Sequence, residues 1–289
     1  MRFVYKSSSL LVVCLISYVA SVLDDRSSSK LQSLVNSVMR CRNVSGLGIA
    51  LVKGSDVVYT GGFGYRDRER KLPVTQTTLF NIGSESKAFT ATLAAHAVAE
   101  GALDWDTPLR NVFGENFRLH DEFRTNLTSL RDGFAHRLGW PSYWGFSTSA
   151  PGFTRDQLLS RYRYFSVLDE FRNTFDYSNY GYVLGATAVE HATGELWEKA
   201  IHRKIFQTLN MSDSRVGATM TQTDWNNTAY SYSVINGTYV RNDEQALVQF
   251  MNEIGPAGAV FSSADDMAKW LQYHIKNLQV IYIVSTSHD

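Results

Sequence analysis

The segment that most restricts the fold is Ser84 to Glu100, SESKAFTATLAAHAVAE, followed at once by Gly101. Alanine has the highest helix propensity, and glycine is common just past a helix end. The run therefore predicts a helix over 84–100. Phe89, Leu93 and Ala97 share one stripe of it, so one side has to be buried. Its first turn puts Ser84 and Lys87 three residues apart, on the same face. A serine hydroxyl is a poor nucleophile without a neighbouring base, and a lysine desolvated in a cleft can lose its proton and act as one. A serine at a helix start also lies at the positive end of the dipole, which favours negative charge on an attacked carbonyl oxygen. The S-x-x-K pattern alone is unspecific: Ser27-Ser28-Ser29-Lys30 matches it too. Read in isolation it is a helix cap with a surface lysine.

The flanking sequence sets the fold class. Residues 29–41 form an amphipathic stripe through Leu31, Leu34, Val35, Val38 and Met39. Gly46–Lys53 and 56–64 read as strands joined by the turn Gly54-Ser55, and 65–80 as loop. Further helices are expected at 154–164, 180–193 and 196–207. A polar, β-like stretch covers 214–242. A last helix over 262–276, capped by Ser262 or Ser263 ahead of Asp265-Asp266, precedes a strand at Val280–Val284. Strands near both ends with helices between predict an α/β (α+β) fold, an antiparallel sheet flanked by helices with a helical part inserted. The sheet part covers about 29–80 and 243–289, the helical part about 84–213, in one domain over 22–289. A site is expected in the crevice between the parts.

The start of the chain reads as an export signal over residues 1–21. Arg2 and Lys6 precede the apolar run Leu10–Val19, which is shorter than the roughly 20 residues of a membrane span. Small residues at Val19-Ala20-Ser21 suit cleavage, and no membrane span is expected afterwards. Five Asn-x-Ser/Thr sequons, at Asn43, Asn126, Asn210, Asn226 and Asn236, predict glycosylated surface loops and an extracellular protein. Lys plus Arg number 28, as do Asp plus Glu. That balance argues against nucleic acid or an anionic membrane as partner. Cys14 falls in the signal, so Cys41 has no intramolecular partner and is expected to be buried and inert. No Cys/His spacing suggests a metal, and no glycine pattern suggests a nucleotide cofactor.

A second constellation lies 90 residues beyond Lys87: Phe175-Asp176-Tyr177-Ser178-Asn179-Tyr180-Gly181-Tyr182. The Tyr177 phenol can relay a proton to a leaving group, and the Asn179 amide can orient a lysine or bind a substrate amide. Read without context, the stretch is a turn before a helix, with tyrosines packing amphipathically.

Taken in order, the phrases Phe80 to Ala91, Glu100 to Pro108, His136 to Gly139 and Tyr177 to Tyr182 resemble serine β-lactamases of class C type and their relatives. These include penicillin-binding proteins, D-amino-acid peptidases and esterases of the β-lactamase/transpeptidase-like fold. Ile205 to Ser214 and Gly255-Pro256-Ala257-Gly258 extend the resemblance over about residues 30–275. It implies that Ser84 forms an acyl-enzyme with a small-molecule or peptide substrate. It also implies that Lys87 is the base, that Tyr177 assists proton transfer and that Asn179 positions Lys87 or substrate. The Ser84 N–H would donate to the oxyanion. His136, in the His-Arg-x-Gly phrase, reads as holding a loop.

The family's third motif, K-T-G or H-x-G on a late strand, has no counterpart here, and the C-terminal strands that complete the family's sheet are expected to be truncated. Loss of one oxyanion donor typically costs about 10² to 10³ in rate. An alternative reading follows: a catalytically impaired secreted glycoprotein with a structural role among extracellular matrix components. The chain is similar in general look to mollusc shell-matrix relatives of the gigasin type, which ties that reading to biomineralization.

Overall fold

A computed structural model describes residues 25–142, 153–168, 170–242 and 253–285. The stretch 1–21 read as a signal peptide lies outside them, as does most of the aromatic-rich stretch 140–153. The chain divides into two compact units. One comprises Met1–Leu79, Asn227–Asn242 and Ser263–Asp289, the other Phe80–Asn226 and Asp243–Ser262.

In the first unit, helix α1 (Asp25–Arg42) leads into strands β1 (Gly46–Lys53) and β2 (Asp56–Asp67). With β3 (Leu72–Pro73) these form an antiparallel sheet in the order β1-β2-β3. Val35 and Met39 of α1 bury themselves against Phe63 of β2, with Leu31, Leu47, Ile49 and Tyr59 around them. That stripe of α1 leaves Cys41 on the opposite side: it is exposed, and the expectation of burial fails because two residues past Met39 the helix has turned away from the sheet.

The last helix of this unit runs over Ala264–Ser285. Its start is capped by the Ser263 hydroxyl, which accepts the Asp266 N–H at 3.2 Å. The expected strand at Val280–Val284 is helical instead. No glycine or proline separates these β-branched and aromatic residues from the helix before them. Propagating a formed helix is easier than starting a new element, and strand preference is weak beside that.

In the second unit, β4 (Phe80–Asn81), β5 (Arg215–Val216) and β6 (Val260–Ser262) form a short antiparallel sheet with β6 central. Two helices dominate: α2 (Ser86–Ala99) and α3 (Asn179–Thr193). The core gathers around α3, where Val183, Leu184 and Ala188 meet Leu130, Leu138, Trp140, Leu158 and Tyr162.

The helix Leu130–Phe134 crosses α3 at a glycine pair. A Cβ on Gly181 would stand 2.4 Å from the Gly133 carbonyl oxygen, so the backbones touch directly. This contact sets the height of α3, whose first turn carries Asn179. Gly181→Ala is expected to cost about 1–3 kcal/mol through overpacking. Chemical denaturation should give a lower midpoint with an unchanged slope; an unshifted midpoint would contradict the packing argument.

Candidate active site

Gly83 starts the site. Its φ of +52° lets the chain turn sharply out of β4 into a single 3₁₀ turn, Gly83–Glu85, before α2 begins at Ser86. The Gly83 N–H is held by the Asn81 side-chain oxygen at 2.9 Å. Ser84 therefore sits in the tight turn ahead of α2, exposed, while Lys87 points into the unit and is only 6% exposed.

Lys87 Nζ has three neighbours. It donates to Asn179 Oδ1 at 2.8 Å and to the Ala257 carbonyl at 2.8 Å, and it stands 3.2 Å from Ser84 Oγ. The first two partners can only accept. They take both protons of a neutral amine and leave its lone pair for the serine hydroxyl. Burial pushes the Lys87 amine down to about 7, against a smaller upward pull from the Glu85 carboxylate. From the other side the Tyr177 hydroxyl donates to Ser84 Oγ at 2.7 Å. The Tyr177 and Tyr182 rings lie 4.9 and 5.6 Å from Nζ, a polarisable wall that excludes water from the amine.

The segment Gly255–Gly258 is fixed from α2. Thr90, one turn beyond Lys87, donates to the Pro256 carbonyl at 2.7 Å and receives the Trp197 Nε1–H at 3.0 Å. Ser86 Oγ accepts the Val260 N–H at 3.0 Å, and the Asn81 amide donates to the Gly258 carbonyl at 3.3 Å. Lys87 thus meets a carbonyl that three other residues hold in place.

Ser84, Lys87, Tyr177 and Asn179, chosen from sequence, are brought into one hydrogen-bonded cluster. The sequence does not mark Ala257 as a partner: the glycine-rich turn is visible, but a backbone acceptor leaves no residue signature. The five sequon asparagines, Asn43, Asn126, Asn210, Asn226 and Asn236, are all exposed. Asn236 forms the tip of a hairpin between Tyr232–Ile235 and Thr238–Arg241, in the left-handed conformation with Gly237. Among the described residues no group of His, Cys, Asp and Glu side chains could hold a metal ion, and no helix is long and apolar enough to cross a membrane.

Residues 31–282 match the beta-lactamase family. The chain belongs to that family. It is 28% identical to Gigasin-6 of Magallana gigas over 272 residues, 92% of this chain and 88% of that protein. It is 28% identical over 239 residues to an unguisins hydrolase of Aspergillus campestris, covering 79% of this chain but only 43% of that relative. The chain thus spans less than half the length of that hydrolase. Among solved structures it resembles the D-amino acid amidase of Ochrobactrum anthropi SV3, with a TM-score of 0.67 and 25% identity, over 83% of this chain and 69% of the amidase. The beta-lactamase/transpeptidase-like fold expected from sequence is the fold this family member has.

Proposed function

We propose that this beta-lactamase-family chain is a secreted serine hydrolase that cleaves an amide, ester or lactam of a small-molecule or peptide substrate through an acyl-Ser84 intermediate. The observation that carries the reading is Lys87: a buried amine 3.2 Å from Ser84 Oγ whose two other partners can only accept, so that its neutral form has a lone pair for the serine hydroxyl. Lys87 takes the hydroxyl proton as Ser84 Oγ attacks the carbonyl carbon. The tetrahedral oxyanion is met by the Ser84 N–H. As the scissile C–N or C–O bond breaks, the leaving group takes a proton through the Tyr177 hydroxyl, which Lys87 replenishes. Water then attacks the ester, its proton passing to the same pair, and Ser84 leaves with its hydroxyl restored. Asn179 holds Lys87 in line throughout. The neighbouring amidase and unguisins hydrolase, by their names, perform hydrolysis, which supports the reaction class.

A second reading is favoured by the near full-length similarity to Gigasin-6. In it the same fold serves as a catalytically impaired glycoprotein of an extracellular, mineralised matrix. The two readings separate on one experiment.

A fluorophosphonate probe should label the purified protein on Ser84, and Ser84→Ala should abolish the label. The labelling rate should rise with pH through about 7, the value to which burial lowers Lys87, and level off above it. The sign follows from the base having to be unprotonated. Lys87→Met should remove that limb and slow labelling by about 10² to 10⁴. A secreted, folded protein that takes no label would sink the hydrolase reading and leave the matrix role.

Extracellular localisation and glycosylation rest on the signal-like start and on the exposure of all five sequon asparagines. Expression in a eukaryotic secretory host should give protein in the medium that drops in mass on treatment with an N-glycosidase. Intracellular retention without glycan would refute this.

A further inference from the structure

Tyr177 is held on both sides by one residue from elsewhere in the chain. The His136 carbonyl accepts the Asp176 N–H at 2.8 Å, and the His136 ring Nδ1 accepts the Ser178 N–H at 3.0 Å. Tyr177 hangs between those two hydrogen bonds. The same imidazole lies against the Tyr177 ring, with centroids 4.5 Å apart and planes 31° apart. Its edges are closed by Tyr182 at 5.3 Å and Phe175 at 5.2 Å.

Making all three contacts from one residue needs a left-handed backbone. His136 has φ +57°, a region that His and Asn enter more readily than most residues with a side chain. The residue is 8% exposed. Burial, with the Lys87 charge as a second cause, pushes it down to about 4. It is therefore neutral near pH 7, with its proton on Nε2 and a lone pair on Nδ1 for Ser178. Upstream, the loop is tied separately: Arg172 grips the Asp132 carboxylate with two bonds of 2.7 Å, and Arg137 donates to the Arg172 carbonyl. Those bonds act on residue 172; nearer the phenol, Thr174 donates to the Asp176 carboxylate at 3.0 Å, and the contacts on the Tyr177 ring and on both flanking N–H groups come from His136.

We propose that His136 is a positioning residue that sets the main chain and ring plane of Tyr177 so that the phenol hydroxyl meets Ser84 Oγ. This rests on reading Ser84 and Tyr177 as reacting partners. His136 touches neither Ser84 nor substrate in this account; it acts through Tyr177 alone.

The test is a double-mutant cycle on single-turnover acylation by the fluorophosphonate probe, with His136→Ala, Tyr177→Phe and the two combined. His136→Ala should slow acylation by about 10²-fold, the typical cost of misplacing a catalytic group by about 1 Å. The double variant should be no slower than Tyr177→Phe, within about twofold, because residues that act as one unit do not add. Multiplying effects would overturn the proposal. His136→Asn keeps the left-handed tolerance and a side-chain acceptor, and should recover part of the rate lost in His136→Ala. Should His136→Ala fail to fold, the cycle runs with His136→Asn, which removes only the ring.

A crystal structure of the His136 variant separates this proposal from the hydrolase reading. The Tyr177 hydroxyl should lie beyond hydrogen-bond reach of Ser84 Oγ, about 3.5 Å. A wild-type protein that takes no probe would defeat the hydrolase reading. Even then, Tyr177 unmoved in the variant would defeat the positioning role, and Tyr177 displaced would support it.

Discussion

An amine taken out of water with two carbonyl-type acceptors as its partners is the interaction on which the site depends. Charged, Lys87 would forfeit most of its hydration at 6% exposure. Two neutral dipoles, Asn179 Oδ1 and the Ala257 carbonyl, repay only part of that loss, and no carboxylate of the described residues pairs with it. The neutral form fits better: two protons for two acceptors, one lone pair for Ser84. Burial thus brings Lys87 down to about 7, so the neutral amine that a general base requires is well populated at neutral pH.

Holding such an arrangement takes more than the three polar groups. Asn179 has to sit at the right height, which the glycine contact between Gly133 and Gly181 fixes by letting two backbones touch. The Ala257 carbonyl has to face inward, and the turn that bears it is gripped at Pro256 by Thr90 and at Gly258 by Asn81. Trp197 completes this by donating to Thr90 from the core, so a large buried side chain backs a single hydroxyl. Sequence choices at Gly83, Thr90 and Gly181 therefore all serve the position of one nitrogen, as preorganised sites demand.

Much of this was legible in the residues. The alanine-rich run with Ser84 and Lys87 one turn apart, and the Tyr177–Asn179 phrase, are side-chain signals at fixed spacing, and folding brought them together. The first hairpin was equally plain, because Gly54-Ser55 separates two apolar runs. What stayed hidden has physical causes. Ala257 contributes only a carbonyl. Cys41 looked inward by composition, but the phase of α1 turns it outward. Val280–Val284 has strand-forming residues, yet an uninterrupted helix upstream carries them along. The sequence marks His136 as a loop residue, and only its positive φ reveals how one residue reaches both neighbours of Tyr177.

The protonation state of Lys87 is the quantity on which all of this turns, and it can be measured without any substrate. In protein labelled with ¹³C-lysine, the ε-carbon signal of Lys87, identified by its loss in Lys87→Met, should titrate with a midpoint near 7. A Lys87 signal titrating near the free lysine value of about 10.4 would mean a charged amine at neutral pH, and the account of Ser84 activation would be wrong.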